Sequence, residues 1–241
     1  VGATTRSTNG SRSLCNSIAA EGGAVVVADL RVANAEETAA AIRNAGGRAI
    51  AVGCDVTDEG QVAGAVETTV AEFGTLTGLV ANAGTASAGW LHEMPVQDWN
   101  FVLGVNLHGV FFSCKHALAP MIEAGRGSIV VTSSIAGSVA GAGGSSASYS
   151  VSKAGIIAVD YGEFGIRANA IQPGPVDNPN FVTHLSEDRE AQSDVERPRM
   201  KRPAPFVPLG RLGDVRDDYG ATIAFLLSDD AGYITGAQIP V

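Results

Sequence analysis

Residues 24–30 read "AVVVADL", five apolar residues, three of them valine, closed by Asp29 and Leu30. A run this short and uniformly apolar predicts a strand buried on both faces, as in a parallel sheet covered by helices. Four more runs share the build: "RAIAVGCDV" (48–56), "LTGLVANAG" (76–84), "GSIVVTSS" (127–134) and "IRANAIQPG" (166–174). Each ends in Asp, Asn, Ser or Gly, or carries one close to its end, so polar chemistry collects at one end of the strands. Between them, "NAEETAAAIRNAGG", "DEGQVAGAVETTVAEFG" and "VQDWNFVLGVNLHGVFFSCKHALAPMIEAG" show helical spacing, with Asp or Asn near the start and Gly at the close. The alternation predicts an α/β fold, a single-domain doubly wound parallel sheet with helices on both faces. In such sheets ligands bind outside the carboxyl ends of the strands, where the strand order reverses.

The chain of 241 residues suits one domain, residues 1–241, with a sizeable core. Hydrophobic residues make up 45% and charged residues 17%, a globular profile with 30 glycines for tight turns. Sixteen Lys and Arg against 25 Asp and Glu give a net charge of −9, which repels nucleic acid and anionic membrane surfaces. Cys15, Cys54 and Cys114 are odd in number and lack C-x-x-C spacing, so neither a disulfide framework nor a zinc site is expected, and a reducing cytoplasm is. Neither a membrane span nor a signal peptide is visible. The proline- and charge-rich stretch 178–208 is expected to be a substrate lid, with a plain surface insertion as the alternative.

Asp29 stands where a carboxylate can accept both hydroxyls of an adenosine ribose and repel a 2′-phosphate, although a solvated turn aspartate would look the same. Asp55 ends the next run, its backbone near where an adenine edge would lie, or else it belongs to a helix start. "ANAG" (81–84) is a turn of small residues that lets backbone approach a ligand, or merely a turn. Ser133 and Ser134 follow another strand, and a hydroxyl there can donate to a substrate oxygen. Asn106 is the odd polar residue of an apolar helix, where a buried amide must find partners. In "ASYSVSKAG" (147–155), Tyr149 and Lys153 are one helical turn apart and share a face. An ammonium beside a phenol favours phenolate, which lowers a pKa otherwise near ~10.

Asp29, "CDV", "NAG", Asn106, "SSIAG", "YSVSK", "PGPV" (173–176) and the closing "PLGRLGDVRDDYGATIAFLLSDDAGYITGAQIPV", in this order, resemble the short-chain dehydrogenase/reductase family in its single-domain group, over nearly the whole chain. The resemblance implies a Rossmann-type domain, an NAD cofactor and a small-molecule alcohol or ketone as substrate. It implies that Tyr149 is the general acid and base, that Ser134 holds the substrate oxygen, that Lys153 also binds the nicotinamide ribose, and that Asn106 positions a relay water. For the cofactor it implies Thr5, Asn9, Gly10 and Ser11 at the pyrophosphate, Asp29 and Leu30 at the ribose, Asp55 and Val56 at the adenine. Asn82, Ala83, Gly84, Tyr149, Lys153, Pro173, Gly174 and Val176 complete that set. A homotetramer built on the helices of Asn106 and Lys153 is implied as well.

Four departures accompany the resemblance. The family's T-G-x-x-x-G-x-G loop aligns with "TTRSTNGS", so Thr5, Asn9 and Ser11 occupy its glycine positions. Only "VGAT" precedes that loop, where a central strand is due; Gly165 follows Lys153 about two helical turns early; and Asn178 stands where relatives often place a nicotinamide-binding Thr. A sequence trimmed or missing segments is therefore expected. The altered loop also keeps open a non-catalytic scaffold with impaired cofactor binding, and an NADPH-linked 3-oxoacyl reductase would carry the same catalytic residues. Trp90, Ala136, Val139, Pro175 and the 178–208 stretch would give the substrate mainly apolar walls. His92, His108, His116 and His184 show no metal-ligand spacing.

Overall fold

A computed structural model describes residues 2–5, 9–87, 90–138, 147–155, 161–176, 207 and 209–241. Seven strands form one parallel sheet: β1 (Gly2–Thr5), β2 (Ala24–Asp29), β3 (Arg48–Gly53), β4 (Gly78–Ala81), β5 (Gly127–Thr132), β6 (Ile166–Gln172) and β7 (Gln238–Pro240). Their order is β3-β2-β1-β4-β5-β6-β7, so the sequence of strands reverses direction between β1 and β4. The five expected strands are all present, each shorter than its apolar run.

Alternate residues of each strand enter different cores. Val25, Val27, Val80, Val130 and Ile171 pack with Leu14, Cys15 and Ile18 of α1 (Asn9–Ala20) and with Ala35, Ala39 and Ile42 of α2 (Val32–Asn44). Leu79, Ala81, Ile129 and Val131 point the other way, against Val110, Cys114, Ala117, Leu118 and Met121 of α5 (Gly109–Ala124). Val62 and Ala65 of α3 (Glu59–Phe73) close the β2 end with Ala28, Cys54, Val56 and Ala83. A strand buried on both faces has no polar face to offer, which is why the runs read as continuously apolar. All three cysteines are free and buried.

The four residues Gly2–Thr5 do supply the central strand, paired on one side with β2 and on the other with β4. The strand due before the loop is thus present in these four residues, flanked by strands on both sides. The long helical stretch 96–125 is likewise not one regular helix. α4 (Val96–Leu103) passes into a π-helical turn at Gly104–His108 before α5, and Gly125, at φ 63°, ends the run in the left-handed conformation that glycine adopts without strain. α6 (Ala147–Ala154) has eight residues, in keeping with the early Gly165.

β7 is too short to hold itself on the sheet edge. Buried Asn169 of β6 donates from Nδ2 to Ile234 O (2.8 Å) and accepts from Ala237 N (3.1 Å), adding to the bonds of Ala168 with Thr235 and Gly236 that hold the connection into β7. Arg167 donates to Leu226 O (2.8 Å) and Ser228 O (2.9 Å), capping the C-terminus of α7 (Ala221–Leu227). No helix among the described residues is long and apolar enough to cross a membrane.

Candidate active site

The switch between β1 and β4 brings the ends of β2, β4, β5 and β6 to one side of the sheet, and α6 lies over them. The main chain of α6 is fixed there by residues of the strand that precedes it. Ser133, just past β5, donates its hydroxyl to Lys153 O (2.7 Å). Gly137 lies so close that a Cβ there would stand 2.8 Å from the Lys153 carbonyl carbon and 2.9 Å from Ala154 N. The Lys153 side chain then runs back to donate from Nζ to Thr132 O (2.5 Å). Thr132 in turn donates its hydroxyl to Asn82 Oδ1 (2.8 Å), joining the ends of β4 and β5.

The two serines thus separate. Ser133 has its one hydrogen committed to Lys153, whereas Ser134 accepts from Ala136 N (3.1 Å) and hydrogen-bonds the Tyr149 phenol. Ser134, Tyr149 and Lys153 come together as expected, with Lys153 Nζ 5.8 Å from the Tyr149 ring centre. The electrostatics differ from the expectation. Burial raises the Tyr149 pKa above its ordinary value, and only the Ser134 bond pulls it back. Burial lowers Lys153 from 10.5 to about 8. Desolvation therefore outweighs the mutual help of phenolate and ammonium, and the lysine alone does not poise the tyrosine as a base.

Asn106 is wholly buried at the middle of the π-helical turn. Its Nδ2 donates to Thr85 O (2.8 Å) and Ser152 Oγ (2.9 Å), and its Oδ1 accepts from Thr85 N (2.7 Å). Both amide hydrogens are thus committed to a clamp between the β4 loop and α6, which leaves the second lone pair of Oδ1 as what the side chain can offer the relay water assigned to it. The π turn, a frequent companion of functional sites, admits the extra residue that rotates Asn106 to this position. Ser152 passes the link to Tyr149 O (2.7 Å), and Ser87 pairs with Ser148 at 3.0 Å. Thr132, Ser148, Ser152 and Gly137 are the residues to which sequence reasoning gave no part in the site, and Ser133, a candidate for the substrate oxygen, instead holds the Lys153 carbonyl.

At the dinucleotide end, Asp29 is buried at the tip of β2, and its Oδ1 accepts from Arg31 N (2.8 Å). Leu30 beside it is exposed. Thr5 ends β1 and Asn9, Gly10 and Ser11 open α1, with residues 6–8 outside the described set. Asp55 accepts at Oδ1 from Thr57 N (2.9 Å) and its own N–H donates to Gln61 Oε1 (3.0 Å), while Val56 is buried. Ala83 is buried beside Asn82, and a Cβ on Gly84 would come 3.5 Å from both Asn106 Oδ1 and Lys153 Nζ. Pro173 O accepts from Ile135 N (3.2 Å), Gly174 N donates to Val241 O (2.9 Å), and Val176 bridges Gly213. Asn178, Val139, His184 and the expected lid apart from Val207 lie outside the described residues. Among the described residues no group of three His, Cys, Asp or Glu is arranged to hold a metal ion.

A doubly wound parallel sheet with serine, tyrosine and lysine converging beside its switch point is the build of an oxidoreductase of CH–OH groups. The family model described as enoyl-(acyl carrier protein) reductase matches residues 11–241, and the chain belongs to the short-chain dehydrogenase/reductase family. It is 42% identical over 231 residues to cis-4-hydroxycyclohexanecarboxylate dehydrogenase of Sinomonas cyclohexanicum, covering 93% of this chain and 87% of that one. It is 34% identical to 2,5-dichloro-2,5-cyclohexadiene-1,4-diol dehydrogenase of Sphingobium indicum, over 92% of this chain and 86% of that one. Among solved structures, NAD+-bound xylitol dehydrogenase matches with TM-score 0.85 and 29% identity, over 100% of this chain and 96% of that one.

The lysine predicts a pH signature in stability. The folded chain releases the Lys153 proton at about pH 8 and the unfolded chain at 10.5, so between these values the unfolded state binds more protons and stability rises with pH. Below pH 8 the full penalty, about 3 kcal/mol, is present. Lys153→Met removes it. The melting temperature of the variant minus that of the parent is expected to fall as pH rises from 8 to 10.5; a pH-independent difference over that range refutes the buried ammonium.

Proposed function

We propose that the protein is an NAD-dependent dehydrogenase, or ketone reductase in reverse, for a secondary alcohol carried on a compact carbocycle. The observation that carries this reading is the convergence of Ser134, Tyr149 and Lys153 outside the carboxyl ends of β4, β5 and β6. The ring substrate is supported by the two dehydrogenases above, whose names each specify a hydroxyl on a six-membered ring.

The residues fit a nicotinamide dinucleotide. Gly84 keeps free of side chain a position 3.5 Å from Lys153 Nζ and Asn106 Oδ1, and Asp29 presents a carboxylate at the tip of β2. Asp29 would hold the adenosine ribose, and Lys153 the nicotinamide ribose. The chemistry supplied by a bound nicotinamide is acceptance of a hydride from the carbinol carbon, or its return to a ketone. Tyr149 Oη takes the hydroxyl proton as the alcohol is oxidised and gives it back in reduction. Ser134 Oγ, which accepts from Ala136 N, has its hydrogen available to the substrate oxygen, handed over from Tyr149. Because burial raises the phenol, added positive charge close to Tyr149 is needed to make it a base near neutral pH.

A second reading follows from Thr5, Asn9 and Ser11 at the loop's glycine positions: a scaffold that no longer binds cofactor. NADH fluorescence titration separates the two, since no binding at millimolar NADH favours the scaffold. Asp29 speaks against NADPH. A tetramer formed through α4, α5 and α6 accords with the exposed Phe101 (54%), Phe111 (58%) and Val151 (47%).

Three outcomes are expected. Tyr149→Phe lowers turnover at least ~100-fold while leaving NADH affinity unchanged, and a variant above about a tenth of the parental rate refutes the acid–base role. The parent prefers NAD over NADP in kcat/KM by at least about tenfold, a preference that Asp29→Ala shrinks or reverses, because charge-assisted bonds to the ribose are worth about 1.5–3 kcal/mol; equal use of both cofactors by the parent overturns it. Light scattering gives a tetramer mass at micromolar protein, and a monomer rejects the assembly.

A further inference from the structure

The turn that carries Ser134 is stitched to the end of β6 at three points. Two are main-chain bonds, Ser133 N to Ile171 O (2.8 Å) and Ile135 N to Pro173 O (3.2 Å). The third is a side-chain bond: Gln172, the last residue of β6, donates from Nε2 to Ser138 Oγ (2.7 Å). Ser138 closes the short 3-10 turn Ile135–Gly137 that Ser134 opens and caps. The same Nε2 donates to Gln238 Oε1 of β7 (3.1 Å), so one amide nitrogen joins the serine turn to the sheet edge. Gln172 is buried and Ser138 exposed, so the bond runs from an anchor in the core to a turn at the surface.

We propose that Gln172 is a positioning residue for the proton-handling pair: by holding the far end of the 134–138 turn it keeps the Ser134 hydroxyl on the Tyr149 phenol. Main-chain bonds to Ile171 and Pro173 tie the beginning of the turn to β6, Gly137 N to Ser134 O (3.0 Å) and Ser138 N to Ile135 O (2.9 Å) close it internally, and the Gln172 bond ties its far end to β6. Ser134 has two demands on its hydroxyl, the Ala136 N–H that it accepts and the phenol that it donates to, and both depend on the pitch of the turn. Without the bond at Ser138, the far end is held only by those internal bonds and by the contact of Gly137 with the Lys153 main chain, and Ser134 is the residue on which a shift of the turn would act. Rate depends steeply on such placement, because catalytic groups act within narrow limits of distance and angle.

This inference rests on the role proposed above for Ser134 and Tyr149, and its test includes a readout that needs no turnover. Gln172→Leu removes both donor bonds, whereas Gln172→Glu keeps both links with reversed polarity, Ser138 donating to the carboxylate and the Gln238 amide turning to donate. The phenol titration of Tyr149 is followed by ultraviolet absorbance in the parent, these two variants, Ser134→Ala and the Leu/Ala double variant, with Tyr149→Phe as the blank. The Ser134 bond lowers the phenol pKa, so its loss raises it. Gln172→Leu is expected to shift the titration upward by roughly half a pH unit, as Ser134→Ala does, with no further shift in the double variant. Gln172→Glu stays close to the parent. With cis-4-hydroxycyclohexanecarboxylate and NAD, Gln172→Leu lowers kcat by about tenfold and leaves the KM for NAD within about twofold. An unmoved titration in Gln172→Leu, or shifts that add in the double variant, overturns the positioning role. Absence of parental turnover on this and related ring alcohols overturns the substrate reading instead, while the titration still decides for or against Gln172.

Discussion

Lys153 is held at both ends. Its carbonyl accepts from Ser133, its ammonium donates to Thr132, and Gly137 lies against its main chain with no room for a Cβ. The strand end of β5 therefore fixes the helix that follows it, and with that helix the distance from Tyr149 to Ser134. The constraint has an electrostatic consequence: a side chain enclosed this way loses water, and both titratable groups move toward their neutral forms. A site so arranged holds a neutral phenol beside an ammonium whose proton burial has loosened, and a further positive charge favours phenolate while weakening the hold of the lysine on its proton.

The parallel sheet makes that arrangement possible. Strands buried on both faces carry a polar side chain along their length only where it is bonded, as Ser128 and Asn169 are, and Asp29, Asn82, Ser133, Ser134 and Gln172 fall at strand ends or just past them. Since every strand points the same way, those ends lie on one edge of the sheet, and the reversal of order between β1 and β4 opens the space between the two halves there. Buried polar groups at that edge are satisfied by one another: Thr132 with Asn82, Asn106 with Thr85 and Ser152. Removing one member strands another in a region poor in water, so the network behaves as a unit.

Periodicity makes the strands and most helices readable because burial on two faces leaves continuous apolar runs and helices leave a 3.6-residue pattern. It fails at β1, where four residues carry no period, and at β7, whose place is set by Asn169 and Arg167 on another strand. The π turn at Gly104–His108 is invisible for a related reason: one extra residue within a helical stretch hardly disturbs the apolar spacing. Tyr149 and Lys153 could be placed on one helix face from their four-residue separation, and it is the family resemblance that makes them a working pair. The bonds of Ser133, Ser152 and Thr132 could not be read, because a small hydroxyl residue reads the same whether it faces solvent or completes a buried hydrogen bond 20 or 46 residues away.

The altered loop and the catalytic cluster sit on different parts of this frame. Thr5, Asn9 and Ser11 belong to the β1–α1 connection, whereas Ser134, Tyr149 and Lys153 are positioned by β4, β5, the π turn and α6. None of the described bonds that fix Lys153 or Asn106 reaches the loop residues. Under the function proposed above, substitutions in the loop would act on the affinity for the whole dinucleotide rather than on Ser134, Tyr149 and Lys153. Loss of glycine at those positions and retention of serine, tyrosine and lysine are physically compatible within one chain, because the sheet separates the group that is gripped from the groups that move the proton.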